Sequence, residues 1–262
     1  MDLECLPNMD IAHTYDKLAE HYHLIFENWD VAIERQAAAL SSILHKKFGS
    51  TRTVRILDCA CGIGTQSLGL AKLGFQVTGC DASPAAIERA RNEALQRNLT
   101  IEFSVANMLA LGNFKASHFD VVICMDNALP HLQSSEDLVK AAHQMRERLV
   151  SGGVLLASIR DYDHLIEERP AIQGPVFYGI PGSRRIVFQV WDWIDDHHYV
   201  FHLYLTIEVE DGWRTVHTSG LYPAIRREEM SATLGRAGFN DIRWLMSDKS
   251  GFYQPVFLAE AK

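Results

Sequence analysis

Apolar positions in the first 50 residues repeat at helical spacing. Tyr15, Leu18, Tyr22, Ile25 and Phe26 form one stripe, and Ile33, Ala37, Leu40 and Leu44 form another after Trp29 and Asp30, which predicts two leading helices. The pattern then shortens. Residues 54–58 are an apolar run ending in a glycine-containing turn, 65–73 read as a helix, and 75–80 as a second strand. Ser83 and Pro84 supply an N-cap and a proline at the first helical position, where its missing N–H costs nothing, for a helix reaching about residue 97. Residues 101–106, 119–125 and 153–159 read as further strands, with a helix over 136–149 between the last two. Strands alternating with helices imply a parallel sheet covered on both faces.

From about Asp161 the pattern changes. Residues 185–193, 199–208 and 213–221 are strand-like runs joined by short turns, with Asp195-Asp196 and Asp211-Gly212 as hairpin turns. A helical pattern returns at 227–237, and two last strands, 241–246 and 252–259, are close enough to pair as a hairpin. The fold class expected is α/β: a mostly parallel seven-stranded sheet with helices on both faces, N-terminal helices and an antiparallel lid after the fifth strand. With no repeat or linker visible, 1–262 reads as a single domain. Its parts are a helical cap (1–50), a ligand-binding core (51–160), the lid insertion (161–222) and a C-terminal helix with a strand hairpin (223–262). The insertion follows a strand whose carboxyl end belongs to the ligand crevice of such sheets.

Composition narrows the functions open to the chain. At 262 residues, 47% apolar and 22% charged, it can build a core and is not disordered. The formal net charge is −8 and no basic run is present, so nucleic acid is not an expected partner. No stretch approaches the roughly 18 apolar residues that a membrane span needs, and the acidic N-terminal residues do not read as a signal peptide. Cys5, Cys59, Cys61, Cys80 and Cys124 are odd in number and lack C-x-x-C spacing, which suits free thiols and a cytoplasmic setting. No His, Cys and carboxylate set has metal-ligand spacing, so no metal is expected. The Gly-x-Ser-x-Gly elbow of hydrolases is absent.

Asp58-Cys-Ala60-Cys-Gly62-Ile-Gly64-Thr65 joins the first strand to its helix, where glycines let a ligand approach the backbone and the helix start offers unpaired N–H groups. About 20 residues on, Asp81 closes the second strand, placed to accept hydrogen bonds from ribose hydroxyls or to cap the next helix. A dinucleotide loop would read G-x-G-x-x-G; here the third position is Ser67. The acidic Asp58 is a poor neighbour for a pyrophosphate and a good one for a ligand with an amino group and a sulfonium.

With these residues the chain resembles the class I S-adenosylmethionine-dependent methyltransferases, whose first motif reads like Asp58-x-x-Cys61-Gly62-x-Gly64, and whose fold is the Rossmann-like one. The likeness runs from about residue 15 to 262. It implies S-adenosylmethionine as cofactor, leaving S-adenosylhomocysteine, with contacts from Asp58, Ala60, Gly62, Gly64, Asp81 and Ala82. Asn107 and Met108 fall at the adenine, Met125 at the end of the fourth strand. The run of Asn127 to His131, then Arg160-Asp-Tyr162-Asp163 and Tyr222-Pro223, is similar to glycine N-methyltransferases. That similarity implies Asn127 and Arg160 on a substrate carboxylate, Arg35 on the cofactor's carboxylate, and Tyr22 or Tyr15 near the sulfonium.

Bland readings stand beside these. Arg160 could instead pair with Asp161 or Asp163, Asn127 could be a turn former, His131 could contact the cofactor or simply begin a helical turn, and Tyr15 and Tyr22 could be core residues. The strand from Phe188 to Trp193 suits sheet packing, one ring of which could also face a cation. Asp126, Tyr162, Tyr222 and His131 are the candidate proton acceptors. The expected activity is methylation of a small carboxylate-bearing amine. The alternatives are methylation of oxygen or carbon in a specialised metabolite, an NAD-dependent oxidoreductase, or a non-catalytic binding module. The expected partners are a small-molecule substrate and, in a homo-oligomer, further copies of the chain.

Overall fold

In the computed structural model, which describes residues 16 and 18–262, the polypeptide alternates as the pattern predicts. Helix α1 spans Trp29–Phe48, capped by Asn28, whose side chain accepts the Val31 amide at 3.1 Å. Then come β1 (Arg55–Asp58), α2 (Thr65–Lys72), β2 (Gln76–Asp81), α3 (Pro84–Gln96), β3 (Glu102–Val105) and β4 (Phe119–Cys124). The core continues with α4 (Ser135–Arg148) and β5 (Leu149–Ser158), and ends with α6 (Arg227–Arg236), β10 (Phe239–Leu245), a short α7 (Ser247–Ser250) and β11 (Val256–Ala261). Between β5 and α6 lie α5 (Tyr162–Glu168) and four strands, β6 (Ile172–Tyr178), β7 (Arg185–Trp193), β8 (His198–Val209) and β9 (Gly212–Pro223).

The main sheet runs β10-β11-β5-β4-β1-β2-β3, parallel except where β11 pairs with β5 and β10. Its central strands are buried on both faces, and alternation sends their side chains to two cores. Val121, Ile123, Val154 and Leu156 pack with Leu40 and Leu44 of α1. Val122, Cys124, Leu155 and Ala157 pack with Leu138, Ala141 and Met145 of α4. This second core is shared with the inner face of the antiparallel sheet β6-β7-β8-β9, through Val187, Trp191, Tyr199, Phe201 and Leu203. The insertion thus shares one packed interior with the carrier sheet.

Three expectations are corrected. Of the first predicted helix, residues 16 and 18 are helical, and after turns at 19–21 the chain takes a 3-10 turn at Tyr22–Ile25; His21 and Leu24 bond three residues back, to the Leu18 and His21 carbonyls, and no side chain caps the 3-10 turn. Helix α5 and strand β6 escape the sequence pattern. The first is only seven residues long, and Gly174-Pro175 interrupts the second. A proline is tolerated there because β6 is an edge strand, and its register with β7 shifts between Gln173 and Val176. Strand β5 also begins earlier than residue 153, through Gly152 and Gly153, which read as a boundary in the sequence. Ser83 caps α3 as expected, accepting the Ala86 amide at 3.1 Å, with Pro84 at its first position.

Candidate active site

The turn after β1 crosses the carboxyl end of the sheet. Its backbone is tied to neighbouring strands by Cys59 N–H to the Ile123 carbonyl and Cys61 N–H to the Cys80 carbonyl, both 3.0 Å. Gly62 (φ +51°) and Gly64 (φ +98°) take left-handed conformations that favour glycine. Asp81, at the end of β2, accepts the Gly62 amide at 2.9 Å on one oxygen and the Ser83 amide at 2.9 Å on the other. Asp81 therefore clamps the loop, and the capping role falls to Ser83, as the N-cap of the next helix.

A cleft of about 340 Å³ opens over this loop, lined by Tyr22, Ala60, Gly62, Asp81, Ala82, Asn107, Met108, Met125, Asp126 and His131 of the sequence candidates. Gly64 and Asp58 lie behind that wall. Gly64 shapes the start of α2. Asp58 is 1% exposed and accepts the Ser67 hydroxyl at 2.7 Å, while its Oδ1 makes no well-formed hydrogen bond within the chain. Burial pushes the Asp58 carboxyl up to about 7, against the opposing pull of Ser67 and the Ala60 amide. Tyr15 lies outside the described residues.

A larger cavity of about 660 Å³ adjoins the cleft beneath the antiparallel sheet, and Tyr22, Asp126 and His131 line both spaces. Arg35, exposed on α1, faces this second cavity and not the cleft. Arg160 projects into it from the end of β5. Its guanidinium lies 4.6 Å from the Trp191 ring centre, 4.8 Å from Phe201 and 5.7 Å from Tyr222, and donates to the Tyr199 hydroxyl at 2.6 Å. Asp161 and Asp163 bond to Arg227 instead, so the surface ion-pair reading of Arg160 is excluded. Among the described residues no carboxylate pairs with Arg160. Trp191 packs in the sheet, stacked on Tyr199 at 4.7 Å, and faces the cation as well.

Asn127, 3% exposed with φ +64°, is a turn former whose Oδ1 accepts the Arg160 amide and the Tyr162 hydroxyl, both at 3.0 Å. Its Nδ2 bonds to no described residue and lies against the cavity. Tyr222 contacts His131, hydroxyl to Nε2, at 3.4 Å. Burial, then the nearby Arg160 charge, pushes His131 down to about 3. Burial, then Tyr199, drives the Tyr162 hydroxyl well above its usual range. Burial also raises the Asp126 carboxyl. Sequence reasoning missed Tyr199, Phe201, Gln66 and Tyr253, all of which contact these groups from other elements. Gln66, in the first turn of α2, carried the clearest signal, because the residues that follow a glycine turn face its ligand.

Residues 56–153 match the methyltransferase-domain family model. The chain superposes on DesVI of Streptomyces venezuelae with a TM-score of 0.73 at 18% identity, covering 97% of this chain and 100% of that one. An S-adenosylmethionine-dependent methyltransferase of Clostridium acetobutylicum gives 0.71 at 18% identity, covering 95% and 96%. Residues 56–153 are thus the segment that matches a methyltransferase domain, and the solved structures share the Rossmann-like fold of the chain. More particularly, it is similar to the glycine/sarcosine N-methyltransferase of Parasynechococcus marenigrum, 32% identical over 58% of this chain and 56% of that protein. It is also 31% identical to the glycine N-methyltransferase of Oryctolagus cuniculus, over 47% and 46%. The alignments thus span only about half the length of these relatives.

The residues lining the cleft suit S-adenosylmethionine: the Asp81 carboxylate can accept from hydroxyls, and Asp58, buried behind the wall, adds an acidic group to that side of the loop. The linkage of Asp58 gives an expected result. Its folded value lies above the unfolded one, near 3.9, so its stabilisation is full below about pH 4 and is lost as pH rises through about 7. Asp58→Asn is expected to raise the unfolding free energy of the ligand-free protein at pH 8 by roughly 1–4 kcal/mol, measured by denaturant melts, and to weaken S-adenosylhomocysteine binding. An unchanged stability between pH 5 and 8 in both proteins would contradict the assignment.

Proposed function

We propose that the chain transfers the methyl group of S-adenosylmethionine to the nitrogen of a small carboxylate-bearing amine such as an amino acid. The observation that carries this reading is Arg160. It is a cation set among aromatic rings on the wall of a cavity adjoining the cofactor cleft, and its two sequence neighbours of opposite charge are engaged by Arg227. An arginine fork matches a carboxylate in two parallel hydrogen bonds, and the Asn127 amide can add a third.

On this reading the first cleft holds the cofactor. Asp81 and Ala82 would take its ribose, Asn107 and Met108 its adenine, and Asp58, Ala60, Gly62, Gly64 and Met125 would surround the rest. Arg35 would reach its carboxylate from the edge of the second cavity. Bound there, the cofactor supplies an electrophilic methyl group. Arg160, Asn127 and Tyr222 hold the acceptor, Tyr22 and His131 keep the junction dry and neutral, and alignment at about 3–3.5 Å does the chemical work. The names of the relatives support nitrogen as the acceptor atom.

The test is a coupled assay for S-adenosylhomocysteine across glycine, larger amino acids and phenols. The second cavity has more room than glycine fills, so aromatic amino acids belong in the set. Turnover with at least one amino acid and none with phenols is expected; turnover confined to phenols refutes the reading.

A further inference from the structure

Asp126 is the one carboxylate among the described residues that lines both spaces. It stands at φ +56° and is followed by Asn127 at +64°. Two consecutive side-chain-bearing residues in the left-handed region cost free energy that the surroundings must offset. Here the Asp126 amide donates to Ser158 Oγ at 2.9 Å, that hydroxyl donates to Gln254 Oε1 at 2.9 Å, and the Asn127 amide donates to the Ser158 carbonyl at 3.2 Å. Glycine would relieve the strain, but it would remove the carboxylate.

That carboxylate is aimed by two further donors. The Tyr253 hydroxyl reaches Oδ1 at 2.8 Å, and Gln66 Nε2 reaches Oδ2 at 2.8 Å while also donating to Gln36 Oε1 at 2.6 Å. No described cation pairs with Asp126. An ionised carboxylate offers about four acceptor positions; these bonds use two, leaving capacity for a donor in the cavity. Gln36, 2% exposed, lines the same cavity, and its Nε2 has no partner.

We propose that Asp126 seats the ammonium end of the acceptor, with Gln66 and Tyr253 positioning its carboxylate, so that the site selects zwitterions gripped between Asp126 and Arg160. This rests on the reading that the chain methylates a carboxylate-bearing amine. The direction of charge movement favours the acceptor over the sulfonium as the partner of Asp126. During transfer positive charge leaves sulfur and appears on nitrogen, so an anion beside the nitrogen stabilises the transition state more than the ground state, and an anion beside the sulfonium does the reverse. The acceptor ammonium first releases one proton to solvent while Asp126 stays ionised. The freed lone pair forms the N–C bond as the C–S bond breaks, with that bonding pair left on sulfur, and the positive charge that appears on nitrogen faces the Asp126 carboxylate.

Calorimetric titration with S-adenosylhomocysteine saturating, using glycine against glycolate and phenylalanine against 3-phenyllactate, tests the seat without turnover. The parent protein is expected to bind at least one amino acid about tenfold or more tightly than its hydroxy partner, a difference of about 1.4 kcal/mol. Asp126→Asn is expected to erase that preference. Tyr253→Phe, with its milder packing change, is expected to cut it about threefold, at unaltered S-adenosylhomocysteine affinity. A preference that survives Asp126→Asn overturns the proposal, as does a variant that loses affinity for S-adenosylmethionine but not for S-adenosylhomocysteine, which would put the carboxylate beside the sulfonium. Equal binding of amino and hydroxy acids by the parent overturns it while leaving the Arg160 anchor in place. Failure of every acid to bind removes the anchor and the seat together.

Discussion

Arg160→Met is expected to lower turnover of a carboxylate-bearing amine by roughly 100-fold or more while S-adenosylhomocysteine binds within about threefold of the parent value. Methionine keeps an apolar stem against Trp191 and Phe201, so the aromatic surround stays filled and the loss is that of charge. A charge-assisted pair in a partly buried site is worth roughly 1.5–3 kcal/mol, and the severed partner leaves Tyr199 without its donor. Steady-state kinetics with calorimetry distinguishes the outcomes. An equal fall in cofactor affinity would move Arg160 from the acceptor to the donor side, and unaltered kinetics would remove it from the site.

Asp81→Ala is expected to weaken S-adenosylhomocysteine binding by about 100-fold, since it removes a carboxylate lining the cleft and the clamp on the Gly62 and Ser83 amides. Asp81→Asn, which keeps one acceptor oxygen, should lose less. The measurement is a titration beside a thermal melt. Ligand affinity that survives in Asp81→Ala would show that the glycine turn alone holds the nucleoside.

Much of the fold is legible because the main sheet obeys simple periodicities. β4 and β5 are apolar on both faces, Ser83-Pro84 announces α3, and the hairpin turn after β8 falls at Glu210-Asp211, one residue from the expected pair. What stays hidden depends on partners distant in sequence. The Tyr15 to Phe26 stripe has helical spacing, but its part from Tyr22 to Ile25 is an uncapped 3-10 turn, and Leu18, Tyr22, Ile25 and Phe26 line the cavities, a placement that needs no regular helix. β6 hides because Gly174-Pro175 reads as a break until its edge position is known. In the site, the glycine turn and Asp81 could be found from local spacing alone. Arg160 could be named, yet only tertiary structure assigns its aspartate neighbours to Arg227, 66 residues away from Asp161. Nothing near Asp126 in the chain signals Tyr253, 127 residues on.

The division of labour between the two sheets has a consequence for how such a chain can change. On the proposed reading, the wall that would meet the acceptor draws many of its side chains from one continuous stretch, β6 to β9, while the wall for the methyl donor is built from the turns after β1, β2, β3 and β4. Mutations that retailor what is methylated can accumulate in the former without disturbing the latter. Selectivity and chemistry are in that sense separately heritable traits of a single gene product.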